Sequence, residues 1–210
     1  MSGTLEDIIL LLMTAETSSE IDEKKEDIAG VIPAIREMFG YDQRNAAHQY
    51  DLWMHSVNTV LNFPKKTDDG MLYLAALLHD IGKPVCQCGG TKPEDTNMHY
   101  YGHPEKSMEI VRDVVIPELD RKGFHIGSED RNRLLYYVQY HDDHVSLRLK
   151  HLRRHLQMVG FEEFQKLMLL QVADAKAHVQ IPIVENRILI CSALAGEEGM
   201  ELYRRILEGE

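Results

Sequence analysis

The sequence predicts an all-α helical bundle. Apolar residues recur at helical spacing through nearly every patterned segment, no stretch alternates as a strand would, and no repeat or low-complexity tract interrupts the pattern. At 210 residues with a 44% hydrophobic fraction, the chain can bury a substantial core. We place a helical extension at residues 1–40 and the main domain, ending in a C-terminal helix, at residues 41–210.

The elements follow in order. Leu5 to Thr14 reads as a short helix and Ser19 to Met38 as a longer one, with Ser19 as N-cap and Ile28, Val31, Ile32 and Ile35 on one apolar face. Asp51 to Phe63 carries Trp53, Val57, Val60 and Leu61 at helical spacing; Gly70 to Asp80 carries Leu72, Ala75, Ala76 and Leu78. These two should pack as neighbours across a short turn. Pro84 to Gly102 has no periodicity and is rich in Gly, Thr, Pro, Asp and Asn, so we read it as a lid or substrate-facing loop. Helical patterns resume at Pro104 to Leu119, Asp130 to Tyr140, Ser146 to Met158, Glu162 to His178 and Pro182 to Leu207, with breaks at Gly123 to Gly127 and at Gly160. The apolar stretch Ile181 to Leu194 either completes the core or forms an interface.

Charge narrows the partners. Lys and Arg total 23 against 34 Asp and Glu, a net charge of -11 that argues against extensive binding to nucleic acid or to an anionic membrane. A small phosphorylated substrate stays compatible where a bound cation reverses the local field. The start, Met1-Ser2-Gly3-Thr4-Leu5-Glu6-Asp7, lacks a basic n-region, and the apolar run Ile8 to Met13 is too short for a signal segment or a membrane span. The expectation is a cytoplasmic protein. Cys86-X-Cys88 has no second pair and Cys191 stands apart, a pattern of free thiols rather than of a disulfide framework or a zinc ribbon.

The chemistry centres on His79-Asp80, within Leu77-Leu78-His79-Asp80-Ile81-Gly82-Lys83-Pro84. Adjacent residues on a regular helix point about 100° apart, so a neighbouring His and Asp grip one ion only near a helix end, which Gly82 and Pro84 supply. His55 lies on the preceding helix, with Asp51 one turn earlier able to hold its second ring nitrogen. Asp174 sits in an apolar stretch and shares a face with Leu167, Leu170, Gln171 and His178, so its inward carboxylate requires a cation or donors. His103 opens one helix and His141 closes another. Taken singly, His55 could be a core histidine bonded to Asp51, Asp174 a helix-to-helix hydrogen-bond acceptor, and His103 and His141 simple caps. Together they offer four imidazoles and two carboxylates from separate helices, a set suited to one or two first-row divalent ions. His48, His125, His144, His151 and His155 read as ordinary surface or half-buried residues.

The order His55, His79-Asp80, His103, His141, Asp174 resembles the HD-domain superfamily of metal-dependent phosphohydrolases, over roughly residues 45–190. A finer resemblance is to the C-terminal HD portion of bacterial tRNA nucleotidyltransferases and poly(A) polymerases, carried by the segment Asp42 to Ser56 and by Tyr101-Gly102-His103-Pro104-Glu105. Residues before 40 show no counterpart of the transferase head, with its Gly-Ser motif and paired acidic residues, which argues against template-independent nucleotide addition. The resemblance implies a first ion on His55, His79, Asp80 and Asp174, with Asp80 bridging to a second on His103 and His141. The metal is expected among Mn, Fe, Ni, Co and Mg.

Asp80 and Lys83 are then the candidate catalytic groups. Lys83 either binds a phosphate oxygen or serves as a cation satisfying a helix C-terminus. His99 and Lys106 are candidate substrate contacts, with Lys92 a more distant one. The expected activity is hydrolysis of a phosphate ester, a mono- or diester of a nucleotide or related small molecule. Two alternatives stand beside it: a di-iron oxygenase of the same fold, and a non-catalytic nucleotide-sensing module.

Overall fold

The structure is a computed structural model that describes residues 3–64, 67–90, 95–144 and 147–209. Its centre is the helix Gly70–Leu78, in which every residue from Met71 to Leu78 is buried, as expected of a segment apolar on all sides. Leu5–Thr14 (α1) and Leu52–Leu61 (α4) pack against it, the central helix being α5; between them in the chain come Ser18–Asp22 (α2), which packs on α4, and Lys25–Val31 (α3). Lys83–Cys86 (α6), His103–Ile110 (α7), Ile116–Arg121 (α8) and Ser128–Tyr140 (α9) follow. Leu149–Lys176 (α10) leads into Pro182–Ala195 (α11) and Glu197–Glu208 (α12). One apolar cluster runs from Leu5 to Leu194, so the first 40 residues pack into the same core as the rest. Among the described residues, no helix is long and apolar enough to cross a membrane.

Local chemistry revises several boundaries. The expected helix Ser19 to Met38 is three pieces: α2, α3 and a 3-10 turn at Pro33–Met38. Ile32, which precedes Pro33, adopts φ -120° and ψ 77°, because the proline ring crowds a helical backbone at the residue before it. Thr17, not Ser19, caps α2, in a capping box with Glu20. The stretch Pro84 to Gly102 is more ordered than expected: Pro84 lies inside the short α6, and Cys88–Gly89 (β1) pairs antiparallel with Met98–His99 (β2).

The break expected at Gly160 is present: the glycine takes φ 78° and ψ 179°, outside helical geometry, so α10 is two helical runs joined at a sharp kink. The expected start of the first, at Ser146, lies outside the described residues. Pro182 to Leu207 divides at Gly196, and a Cβ on Gly199 would stand 2.0 Å from the Leu194 carbonyl oxygen.

Asp69 anchors the central helix. Its Oδ1 accepts from the amides of Met71 (3.1 Å) and Leu72 (3.3 Å), and its Oδ2 takes Arg133 Nη1 (3.1 Å), Lys166 Nζ (3.1 Å) and the Tyr137 hydroxyl (3.2 Å). Asp69→Ala is expected to destabilise the fold by about 2–4 kcal/mol, combining a lost cap with cations left half-buried beside an apolar side chain. Urea denaturation checks this; a loss under about 0.5 kcal/mol would refute it.

Candidate metal centre

Each candidate ligand sits where a helix begins, ends or faces the core. Asp51 caps α4, accepting the Met54 amide at 2.7 Å, and one turn later His55 turns inward, 0% exposed. His79 follows α5 directly, and Asp80 lies in the turn before α6. His103 is the first residue of α7, His141 follows α9, and Asp174 lies near the end of α10. The turn holding the doublet presses against α7. Gly82 N–H donates to Ser107 Oγ at 2.9 Å, and a Cβ on Gly82 would stand 2.6 Å from the Ser107 amide nitrogen and 2.9 Å from the His103 carbonyl oxygen.

Asp80 divides the centre into two halves. Its Oδ2 lies 3.3 Å from His55 Nε2 and 3.1 Å from His79 Nε2, and its Oδ1 lies 3.1 Å from His103 Nε2 and 3.4 Å from His141 Nε2. Asp174 Oδ1 closes the first half, 3.0 Å from His55 Nε2 and 3.5 Å from His79 Nε2. Within each half the two imidazole nitrogens approach closely, at 3.3 Å for His55 and His79 and 3.2 Å for His103 and His141.

The outer ring nitrogens show what this convergence is built for. His79 Nδ1 lies 2.8 Å from the Ala76 carbonyl, His103 Nδ1 2.8 Å from that of Tyr100, and His141 Nδ1 2.8 Å from that of Val138. A carbonyl only accepts, so each Nδ1 carries a proton and each neutral ring turns an Nε2 lone pair toward the centre. Lone pairs and carboxylates at these separations repel unless a cation lies among them. Asp80 Oδ1, buried and without a hydrogen-bond donor among the described residues, makes the same demand. The residues therefore fit a divalent metal.

Without one, a proton takes part of that role. Burial opposes charge on His79, but the Asp80 and Asp174 carboxylates raise its pKa to about 10. Burial likewise opposes ionisation of Asp80, yet the His79 imidazole and Lys83 ammonium hold its carboxyl well below the ordinary range. Burial pushes the His141 pKa down.

The HD domain family model matches residues 46–177, well over half of the chain. The chain belongs to the HD-domain family. Among curated proteins, it is 27% identical over 125 residues to a "Multifunctional CCA protein" of Thioalkalivibrio sulfidiphilus (strain HL-EbGR7), a match covering 59% of this chain and 28% of that protein. A protein of the same name from Nitrosomonas eutropha (strain DSM 101675 / C91 / Nm57) is 27% identical over 126 residues, 59% of this chain and 27% of that protein. The chain thus spans little more than a quarter of the length of the curated relatives it matches.

In this HD domain, structure brings His55, His79, Asp80, His103, His141 and Asp174 together. Lys83 joins them: its ammonium, 4% exposed by residue, lies 2.7 Å from Asp80 Oδ2 and 2.8 Å from Gln43 Oε1, with the Tyr100 ring 5.6 Å away. Lys83 opens α6, just beyond the end of α5, and its ammonium goes to the side chains of Asp80 and Gln43. His99 lines the same cleft, of about 320 Å³, paired with Asp95 at 2.7 Å and stacked on Tyr101. Lys106 is not brought there; its ammonium pairs with Glu109 at 2.9 Å, half-exposed on α7. Lys92 lies outside the described residues.

Asp51 does not hold His55. Its carboxylate is taken by the Met54 amide, and His55 Nδ1 has no hydrogen-bond partner among the described residues. The rings of His48 and His178 pack there instead, with centroids 5.2 and 4.8 Å from that of His55. Sequence reading missed His48 as a cleft residue; no spacing singles it out, because an antiparallel bridge to His178 places it. His178, one turn beyond Asp174, had a readable signal. Arg187 on α11 was also missed: it donates to the His141 carbonyl (2.7 Å) and to Asp142 Oδ1 (2.8 Å), tying α11 to the end of α9.

Proposed function

We propose that this HD-domain protein is a metal-dependent hydrolase of phosphate esters, acting on a nucleotide or a related small molecule. The observation that supports this most directly is the division of Asp80, one oxygen facing His55 and His79, the other His103 and His141. His55, His79, Asp80 and Asp174 would hold one ion, and Asp80, His103 and His141 a second. Four imidazoles favour Mn, Fe, Co or Ni over Mg, which prefers oxygen ligands. When bound, such ions supply a water of lowered pKa and neutralise phosphoryl charge.

The chain's own residues do the rest. Asp80 stands between the two histidine pairs, and its contact with Lys83 fixes the ammonium at the wall of the cleft. An ammonium has three N–H donors; Asp80 and Gln43 engage two, leaving one for a substrate oxygen. Its charge there would stabilise negative charge developing on phosphate.

The test is elemental analysis of the protein as isolated, followed by a phosphate-ester panel with several divalent metals. Bound metal and phosphate release support the reading; absence of both overturns it. Two irons with oxygen uptake would indicate an oxygenase, and nucleotide binding without turnover a sensor. Lys83→Ala is expected to keep its metal and lose about 10²-fold in kcat. Unchanged kcat would remove Lys83 from the mechanism.

A further inference from the structure

We infer that a second pocket, adjoining the metal cleft at Arg187, receives the uncharged organic group of the substrate, a group of nucleoside type. This inference rests on the phosphohydrolase reading for the identity of the other, anionic end. The pocket is about 290 Å³ and lies between α11 and the segment after α9. Asp142 and Arg187, ion-paired at 2.8 Å, line both it and the cleft, so the two spaces adjoin at this pair and a ligand would span them across it.

Their chemistries differ in the way a two-part substrate requires. The cleft is walled by histidines, carboxylates and Lys83, whereas the second pocket sets Ile183, Val184, Ile190 and Cys191 beside the polar Asp143, His144, Gln171 and Asn186. Ile183 is 74% exposed, an apolar surface that a planar, uncharged group would cover. Small-molecule sites run about 300–1,000 Å³. Each pocket alone lies at the bottom of that range; joined, they suit a phosphate with a sizeable organic group.

Arg187 is placed to sort the two ends. Its guanidinium is fixed by Asp142 Oδ1 and the His141 carbonyl, with Asp174 Oδ2 3.7 Å away, so it faces both spaces from a held position. An anionic group is drawn to the side of the metal ligands and Lys83, and an uncharged one passes to the aliphatic side.

The test uses the full chain, metal-loaded, with Ile190→Trp to fill the pocket. Ile183→Glu, at an exposed position, serves as a second variant that leaves the core untouched. Values of kcat/KM are compared for glycerol phosphate and for nucleoside monophosphates, and calorimetry measures binding of the unphosphorylated nucleosides. Both variants are expected to lower kcat/KM for nucleoside monophosphates at least tenfold, to leave glycerol phosphate within twofold, and to abolish nucleoside binding. Equal losses on both esters, or none, overturn the pocket while leaving the hydrolase reading intact. Nucleoside binding that the variants abolish, with no member of the phosphate-ester panel turned over, diesters included, keeps the pocket and removes the hydrolase reading. Neither binding nor turnover removes both.

Discussion

Asp80→Ala is expected to strip the protein of bound metal and of activity together. Among the described residues, Asp80 is the carboxylate that meets all four imidazoles: Asp174 lies against His55 and His79, while His103 and His141 meet the other Asp80 oxygen, with His141 also within 4.8 Å of the His79 nitrogen. Among the described residues, losing the shared carboxylate removes the anion that faces His103 and His141 and leaves two imidazoles 3.2 Å apart. Metal contributes several kcal/mol of transition-state charge stabilisation. At about 1.4 kcal/mol per tenfold, activity should fall roughly 10³-fold or more. Asp80→Asn, which keeps the shape but removes the charge, should fail similarly. Elemental analysis beside turnover decides the matter, with circular dichroism to show that the helices persist. Full metal content and activity in Asp80→Ala would sink the proposed centre.

Gly82→Ala should separate the two halves. The added methyl would meet backbone of α7, at 2.6 Å from the Ser107 nitrogen, and backbone cannot rotate away as a side chain can. Overpacking of this kind costs about 1–3 kcal/mol, and the relief available is a shift of α7 away from the doublet. That shift carries His103 from Asp80 Oδ1 and leaves His55, His79 and Asp174 in place. We expect a folded protein that keeps the first ion, loses or weakens the second, and turns over at least tenfold slower. Metal titration by calorimetry, resolving one site from two, checks it; two unperturbed sites with wild-type stability would refute the close approach.

Four of the six candidate ligands carry a local mark in the sequence. His79-Asp80 precedes a Gly and a Pro that end a helix, His103 follows a Gly that begins one, and Asp174 is a carboxylate among apolar residues. Asp51 shows the limit of such reasoning. Its spacing to His55 suits a side-chain hydrogen bond, but a carboxylate at a helix start meets free backbone amides first, and the Met54 amide takes it. Lys106 makes the same point: Glu109, three residues along α7, is nearer than the cleft.

By itself, the sequence determined the helical class, since periodicity, caps and breakers act over a few residues, and its ordered His and Asp residues, through the HD-domain resemblance, picked out the candidate ligands. Only the tertiary structure decided that Asp80 turns its two oxygens to different histidine pairs, and that Gln43, 40 residues away, holds Lys83. It alone placed His48 against His55 and Arg187 beside His141. These contacts join elements distant along the chain. Their geometry follows from how α4, α5, α7, α9, α10 and α11 pack around a common core, which no local pattern encodes.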